Sequence, residues 1–133
     1  STLEWLDRFD HPAVGMALDL WHFGHDAALP GLLPDLVRRL ALLRVADRIG
    51  PPVAGGERLP PGRGTLPLES IVASLAAAGY RGDVEFELVG EEVEALGYDT
   101  TLGQVLQLAD AWSRSLEHVA ARERARIASP TGG

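Results

Sequence analysis

Val14-Gly15-Met16-Ala17-Leu18-Asp19-Leu20-Trp21-His22 is an apolar run that ends in an acid, with a histidine three residues beyond it. A buried parallel strand reads as a continuous hydrophobic run, and in α/β folds reactive groups gather just past the carboxyl ends of such strands. Asp19 and His22 therefore fall where a reactive pair belongs. Val84-Glu85-Phe86-Glu87-Leu88-Val89 repeats the pattern and brings Glu87 to the comparable position. Glu85 and Glu87 flank Phe86, and we read them as one acid facing in and one facing out. Two strands that each deliver a carboxylate to one rim imply a metal or acid/base site.

Outward from these runs, strand and helix signals alternate. Leu3, Leu6 and Phe9 are spaced as in the end of a helix over residues 2–9, and His11-Pro12 breaks it. The first strand is expected over residues 13–18, followed by a loop over 23–28 that carries His25 and Asp26. Leu32, Leu33, Leu36, Val37 and Leu40 share one face of a helix over 31–40. A second strand is expected at 41–46. Residues 48–66 are crowded with proline and glycine, and an irregular loop of that length is usually functional or disordered. Asp47 is read as ordering this loop. Pro67 suits the first turn of a helix over 68–78 that stops at Gly79. The third strand is expected at 84–89, and a loop at 90–100. Thr101 and Gln104 form a capping box for a long helix over about 102–126. Glu117, Arg114, His118 and Arg122 take its exposed positions, as on the outer helix of a barrel.

Composition excludes several classes of function. The chain has 133 residues, the length of one domain, and 46% of them are hydrophobic, enough to build a core. Twelve basic residues against nineteen acidic ones leave a net charge of −7, which disfavours a nucleic-acid partner. Arg122, Arg124 and Arg126 are the only basic cluster, and Glu123 interrupts it. Cysteine is absent, so thiolate nucleophiles and thiolate zinc sites are excluded, and a reducing cytoplasm fits. No apolar stretch approaches the ~18 residues of a membrane span. The opening Ser1-Thr2-Leu3-Glu4-Trp5 lacks the pattern of a signal peptide. A first residue other than Met points to processing, a chosen boundary or a fragment.

Alternating β and α signals with buried strands mean parallel strands joined by right-handed crossovers. Three strands are few for a free-standing parallel sheet, whose faces and edges all need cover. A complete (β/α)8 barrel needs roughly 250 residues, about twice the length of this chain.

Four segments carry a family resemblance. His11-Pro12-Ala13-Val14-Gly15 leads into Leu18-Asp19-Leu20-Trp21-His22, with its Asp-x-x-His ending. Leu43-Arg44-Val45-Ala46-Asp47 follows, then Pro61-Gly62-Arg63-Gly64. The fourth is Ala78-Gly79-Tyr80-Arg81-Gly82-Asp83-Val84-Glu85-Phe86-Glu87. In this order the chain resembles the C-terminal part of the xylose-isomerase-like TIM-barrel family. This family holds sugar isomerases and epimerases and shares its barrel with endonuclease IV. The segments resemble the family's sixth strand, its seventh strand (normally His-x-x-Asp), the glycine-rich loop after it, and its eighth strand.

The resemblance implies an α/β fold, namely about three β/α units from the C-terminal portion of a (β/α)8 TIM barrel. It implies a sugar or sugar phosphate as substrate and proton transfer alpha to a carbonyl as the reaction. A divalent metal, Mn or Mg, would be held by acids from the fifth, sixth and eighth strands and a histidine from the seventh. Asp19 and Glu87 match two of these ligands, and Glu87 also matches one of the family's two acid/base groups. His22 matches a histidine that contacts substrate, and Arg58 weakly matches a substrate-binding arginine. Arg44 stands where the seventh-strand histidine belongs. A guanidinium has no lone pair for a metal, so Arg44 either binds an anionic substrate group or pairs with Asp19 or Glu87. The fifth-strand glutamate is not in the chain. Gly62-Arg63-Gly64 offers backbone N–H groups to a phosphate. Three strands expose the inner barrel face, which includes Met16, Leu18 and Phe86 where their side chains point inward.

Two functions follow. One is an isomerase or epimerase that needs the rest of a barrel, as a homo-oligomer or with a missing N-terminal half. The other is a diverged, non-catalytic barrel fragment acting in assembly or small-molecule binding. A DNA-repair endonuclease is disfavoured by the acidic charge and the missing histidine ligands.

Overall fold

The computed structural model describes the backbone of residues 2–9 and 11–128 and the side chains of residues 4–9 and 11–115. The expectations for Leu3, Glu117, His118 and Arg122 therefore fall on side chains outside the described residues. The described elements are α1 (Thr2–Asp7), β1 (Met16–Asp19), α2 (Leu20–Phe23), α3 (Leu29–Leu36), β2 (Leu40–Val45), α4 (Leu68–Ala77), β3 (Asp83–Phe86), α5 (Glu91–Leu96) and α6 (Tyr98–Ala128).

The three strands form one parallel sheet in the order β1-β2-β3. Pairing sets up rows across the sheet. Leu18, Leu43 and Val84 form one row, and Asp19, Arg44 and Glu85 form the next. Successive residues of a strand point to opposite faces, so the first row faces the helices and the second faces away from them. Leu18 and Leu43 join Leu29 and Leu33 of α3, Ile71, Val72 and Leu75 of α4, and Trp112 of α6 in a single core. Each such leucine, if fully buried, contributes about 2–3 kcal/mol. Phe86 stacks on Trp112 with 5.6 Å between ring centroids.

This arrangement decides which side chains point inward. Met16, Leu18 and Phe86 pack on the helix side, because the period of two places them opposite Asp19, Arg44 and Glu85. The same period corrects the reading of Glu85 and Glu87. Two residues apart, they share a side, and Arg44 reaches both.

Local chemistry explains the other boundaries. Asp19 ends β1 and caps α2, its carboxylate accepting the Trp21 N–H at 3.0 Å. A short helix thus begins between the first strand and the loop expected at 23–28. Gly79 takes a positive φ of 89° after α4. There the Tyr80 N–H reaches Leu75 O and the Gly79 N–H reaches Ala76 O, a Schellman closure. Tyr80 is buried and donates its hydroxyl to Asp83 O at 2.5 Å. Burial pushes its phenol up to about 12. Residues 90–100 are not all loop: α5 occupies Glu91–Leu96, and α6 begins at Tyr98. Thr101 consequently lies inside the first turn of α6 and does not cap it. Its hydroxyl oxygen is buried without a hydrogen-bond partner.

The stretch 48–66 is ordered chiefly by one carboxylate. Asp47 is 1% exposed. Its Oδ1 accepts the N–H groups of Arg48 at 2.9 Å and Leu66 at 3.0 Å, and its Oδ2 accepts that of Gly62 at 2.9 Å. The start of the loop and two points near its end therefore hang on a single side chain. Gly64 passes so close that an added Cβ would sit 2.3 Å from the Asp47 carboxylate. Asp47→Ala leaves three backbone donors unpaired. It is expected to destabilise the chain by about 3 kcal/mol in urea unfolding, far more than a surface substitution.

Candidate functional site

At the carboxyl ends of the strands, on the face the helices leave open, charged side chains converge. The row Asp19–Arg44–Glu85 supplies three of them. Glu87 follows β3, its backbone N–H still bound to Val45 O at 3.2 Å. Arg58 arrives from the long loop. Its backbone exchanges hydrogen bonds with Val89 at 2.7 and 3.0 Å, which fastens the loop to the chain beyond β3.

The Arg58 guanidinium grips Asp19 with two parallel bonds, Nη1 to Oδ1 at 3.3 Å and Nη2 to Oδ2 at 2.9 Å. Its Nη1 also lies 3.4 Å from a Glu87 carboxylate oxygen. The face of the Trp21 ring supports the guanidinium, 4.9 Å from ring centroid to Cζ. Trp21 is itself held by its indole N–H on Glu57 O at 2.7 Å. The buried Arg48 donates to Trp21 O from its Nε and to Gly50 O from its Nη1. Fork geometry, a stacking platform and partial burial (16% exposed for Arg58, 18% for Asp19) make this a strong pair.

Arg44 forms the second half of the cluster. Its Nε lies 3.1 Å from Glu85 and 3.3 Å from Glu87. The hydrogen bond it donates to Glu85, and then the charges of Glu85 and Glu87, hold its guanidinium above the ordinary arginine value. His22 sits at the edge, about half-exposed, with Nε2 3.9 Å from Asp19 Oδ2.

The residues singled out from the sequence, Asp19, His22, Arg44, Arg58 and Glu87, thus lie in one cluster. Glu85 and Trp21 belong to it as well. Glu85 was legible from its spacing of two from Glu87, and Trp21 from lying inside the first stretch quoted. His25 and Asp26 do not join them. His25 Nε2 lies 3.1 Å from Thr65 O, and Asp26 accepts the Ala28 N–H at 2.9 Å. The Gly62 N–H is committed to Asp47 rather than offered to a phosphate.

The resemblance implies a divalent metal, and the donor set bears on whether these residues fit one. Among the described residues, no three His, Cys, Asp or Glu side chains converge as a metal-binding group. Asp19 spends both oxygens on Arg58, and Oδ1 also accepts the Trp21 N–H. Glu87 lies between two guanidiniums. The residues present do not fit a divalent cation; they form an ion-pair cluster of three carboxylates and two guanidiniums.

The half-buried fork should couple measurably. In a double-mutant cycle of Asp19→Asn and Arg58→Gln, urea unfolding is expected to give a coupling energy of about 1–2 kcal/mol. The exposed Arg63–Glu92 pair, at 2.9 Å, should couple more weakly.

Comparison with known proteins agrees with this architecture. The chain matches the xylose isomerase-like TIM barrel family over residues 1–122. Among solved structures it is similar to one described as L-ribulose 3-epimerase, with a TM-score of 0.60 and 17% identity over 99% of this chain. It is also similar to a xylose isomerase domain protein from Alicyclobacillus acidocaldarius subsp. acidocaldarius, with a TM-score of 0.58 and 24% identity over 90% of this chain. The matches cover 45% and 43% of those two proteins, so the chain spans less than half of either. A search of curated protein sequences gave no match. With nearly its whole length matched, and with parallel strands backed by helices, the chain belongs to the xylose isomerase-like TIM barrel family.

Proposed function

We propose that this chain is the carboxyl-terminal part of a barrel that isomerises or epimerises a sugar or sugar phosphate, with Glu87 moving the proton alpha to the carbonyl. The observation that supports this reading is the charged cluster at the carboxyl ends of three parallel strands, on the open face, where barrels of this kind carry their chemistry.

In this reading a Glu87 oxygen takes the proton from the carbon next to the substrate carbonyl. The electron pair of the broken C–H bond moves onto the carbonyl oxygen and gives an enediolate. Guanidinium N–H groups of Arg44 and Arg58 donate to that oxygen, and His22 donates to a neighbouring hydroxyl. One carboxylate suffices for isomerisation: the proton returns on the same face to the former carbonyl carbon, while the neighbouring hydroxyl passes its proton to the enediolate oxygen and becomes the new carbonyl. Epimerisation at one carbon needs a second group on the opposite face, and strands beyond this chain would supply it. The isolated chain lacks the opposing wall and is expected to be inactive. A cytoplasmic setting, without nucleic-acid or membrane partners, fits the acidic, cysteine-free composition. Among the described residues no helix is long and apolar enough to cross a membrane.

A second reading has one observation in its favour: the carboxylates are already engaged by arginines. On that reading the chain is a diverged barrel segment that binds or assembles without turnover.

The test is deuterium exchange from solvent into a panel of ketoses and ketose phosphates, using the native assembly. Exchange that falls by about 10²-fold or more in Glu87→Gln supports the proton-transfer role. Exchange that persists unchanged in Glu87→Gln removes Glu87 from the proton-transfer role, and exchange absent with every sugar leaves the non-catalytic reading in its place.

The open edges of β1 and β3 and the uncovered polar face also generate an expectation about assembly. Sedimentation equilibrium should report a mass above the 14.2 kDa of one chain. A monodisperse 14.2 kDa species that unfolds cooperatively would count against a shared barrel.

A further inference from the structure

We infer that Arg58, steadied by Trp21 and delivered by the long loop, is a built-in cation that occupies the place between Asp19 and Glu87 where a barrel of this family would hold a divalent metal. The rim of this chain is therefore metal-independent. The inference stands whether or not the rim turns over a sugar.

Three observations carry it. First, a single guanidinium bridges the two carboxylates that the family resemblance marks as metal ligands, at 2.9 Å from Asp19 and 3.4 Å from Glu87. Second, that guanidinium is fixed from every side. Its backbone pairs with Val89, its cation rests on the Trp21 ring, and Trp21 is tied to Glu57 O and Arg48. A side chain merely lying over an unfilled site would not have this support. Third, Arg44 replaces the histidine that the family pattern places on the second strand, and it reaches the same Glu87 from the other side.

Electrostatics then works against a metal. Neither arginine can shed its proton or offer a lone pair. A divalent cation entering between Asp19 and Glu87 would meet two fixed positive charges and would have to break the Asp19 fork. The cluster instead balances three carboxylates with two guanidiniums. The negative charge that a metal would neutralise is already largely compensated within the chain.

The test needs no turnover. Free Mn2+ is followed by electron paramagnetic resonance while the 133-residue chain is titrated. The wild-type protein is expected to show no stoichiometric site at total Mn2+ of about 1 mM. Its thermal midpoint should be the same in Mn2+ and in EDTA. The double variant Arg44→His, Arg58→Gln restores a histidine and frees the two carboxylates. It should bind Mn2+ at least about tenfold more tightly than wild type. Where that variant does not fold, Arg58→Gln alone serves for the same comparison. One equivalent of Mn2+ bound by the wild type, and lost in Asp19→Asn or Glu87→Gln, would overturn the inference. A folded arginine variant that binds no better than wild type would overturn it as well.

Discussion

Pairing register across the three parallel strands is the constraint from which the other features follow. Leu18, Leu43 and Val84 fall in one row and Asp19, Arg44 and Glu85 in the next. Because side chains alternate with a period of two, a slip of one residue would exchange the rows, turning charges into the helix layer and leucines into solvent. Register is thus held by the hydrophobic effect on one face, and the charged face is positioned as its consequence. The core formed by Leu33, Leu43, Ile71 and Leu75 sets the height at which Asp19 and Arg44 meet.

Two aspartates show how burial divides the work of one side-chain type. Asp47 is sealed and spends its oxygens on three backbone N–H groups, so it shapes the loop from 48 to 66. Asp19 is partly open and spends one lone pair capping α2, and the rest on the fork with Arg58. The two are mechanically connected. By holding the start of its loop and two points near the end, Asp47 shapes the path along which Arg58 returns to Asp19, and the isolated bridge between Arg58 and Val89 completes that path. Structural and candidate functional carboxylates belong to one framework.

Much of this was legible in the sequence because apolar runs and acid positions report directly on buried strands and rims. The run ending at Asp19 became β1, and the run through Val84 and Phe86 became β3. Errors arose where the signal was local but the outcome was not. Residues 90–100 read as loop, yet Glu91–Leu96 is helical; Gly90 and Gly97 flank too short a turn for periodicity to register. Thr101 and Gln104 have the spacing of a capping box, but α6 begins earlier, at Tyr98, and encloses Thr101. Whether Met16, Leu18 and Phe86 point inward or outward is not set by their being apolar. In a barrel segment backed by helices, the apolar layer lies on the outer side of the sheet.

By itself the sequence determined the parallel α/β character, the family, the acids at the strand ends and the absence of thiolate chemistry, since each follows from residue type and short-range order. Only the tertiary structure decided what those acids do to one another. Arg58 is thirty-nine residues from Asp19 in the chain, and no periodicity links them. Their meeting depends on a loop ordered by a buried carboxylate and on the Trp21 ring lying beneath the guanidinium. Ion pairing is set by distance and desolvation, which are properties of the folded chain.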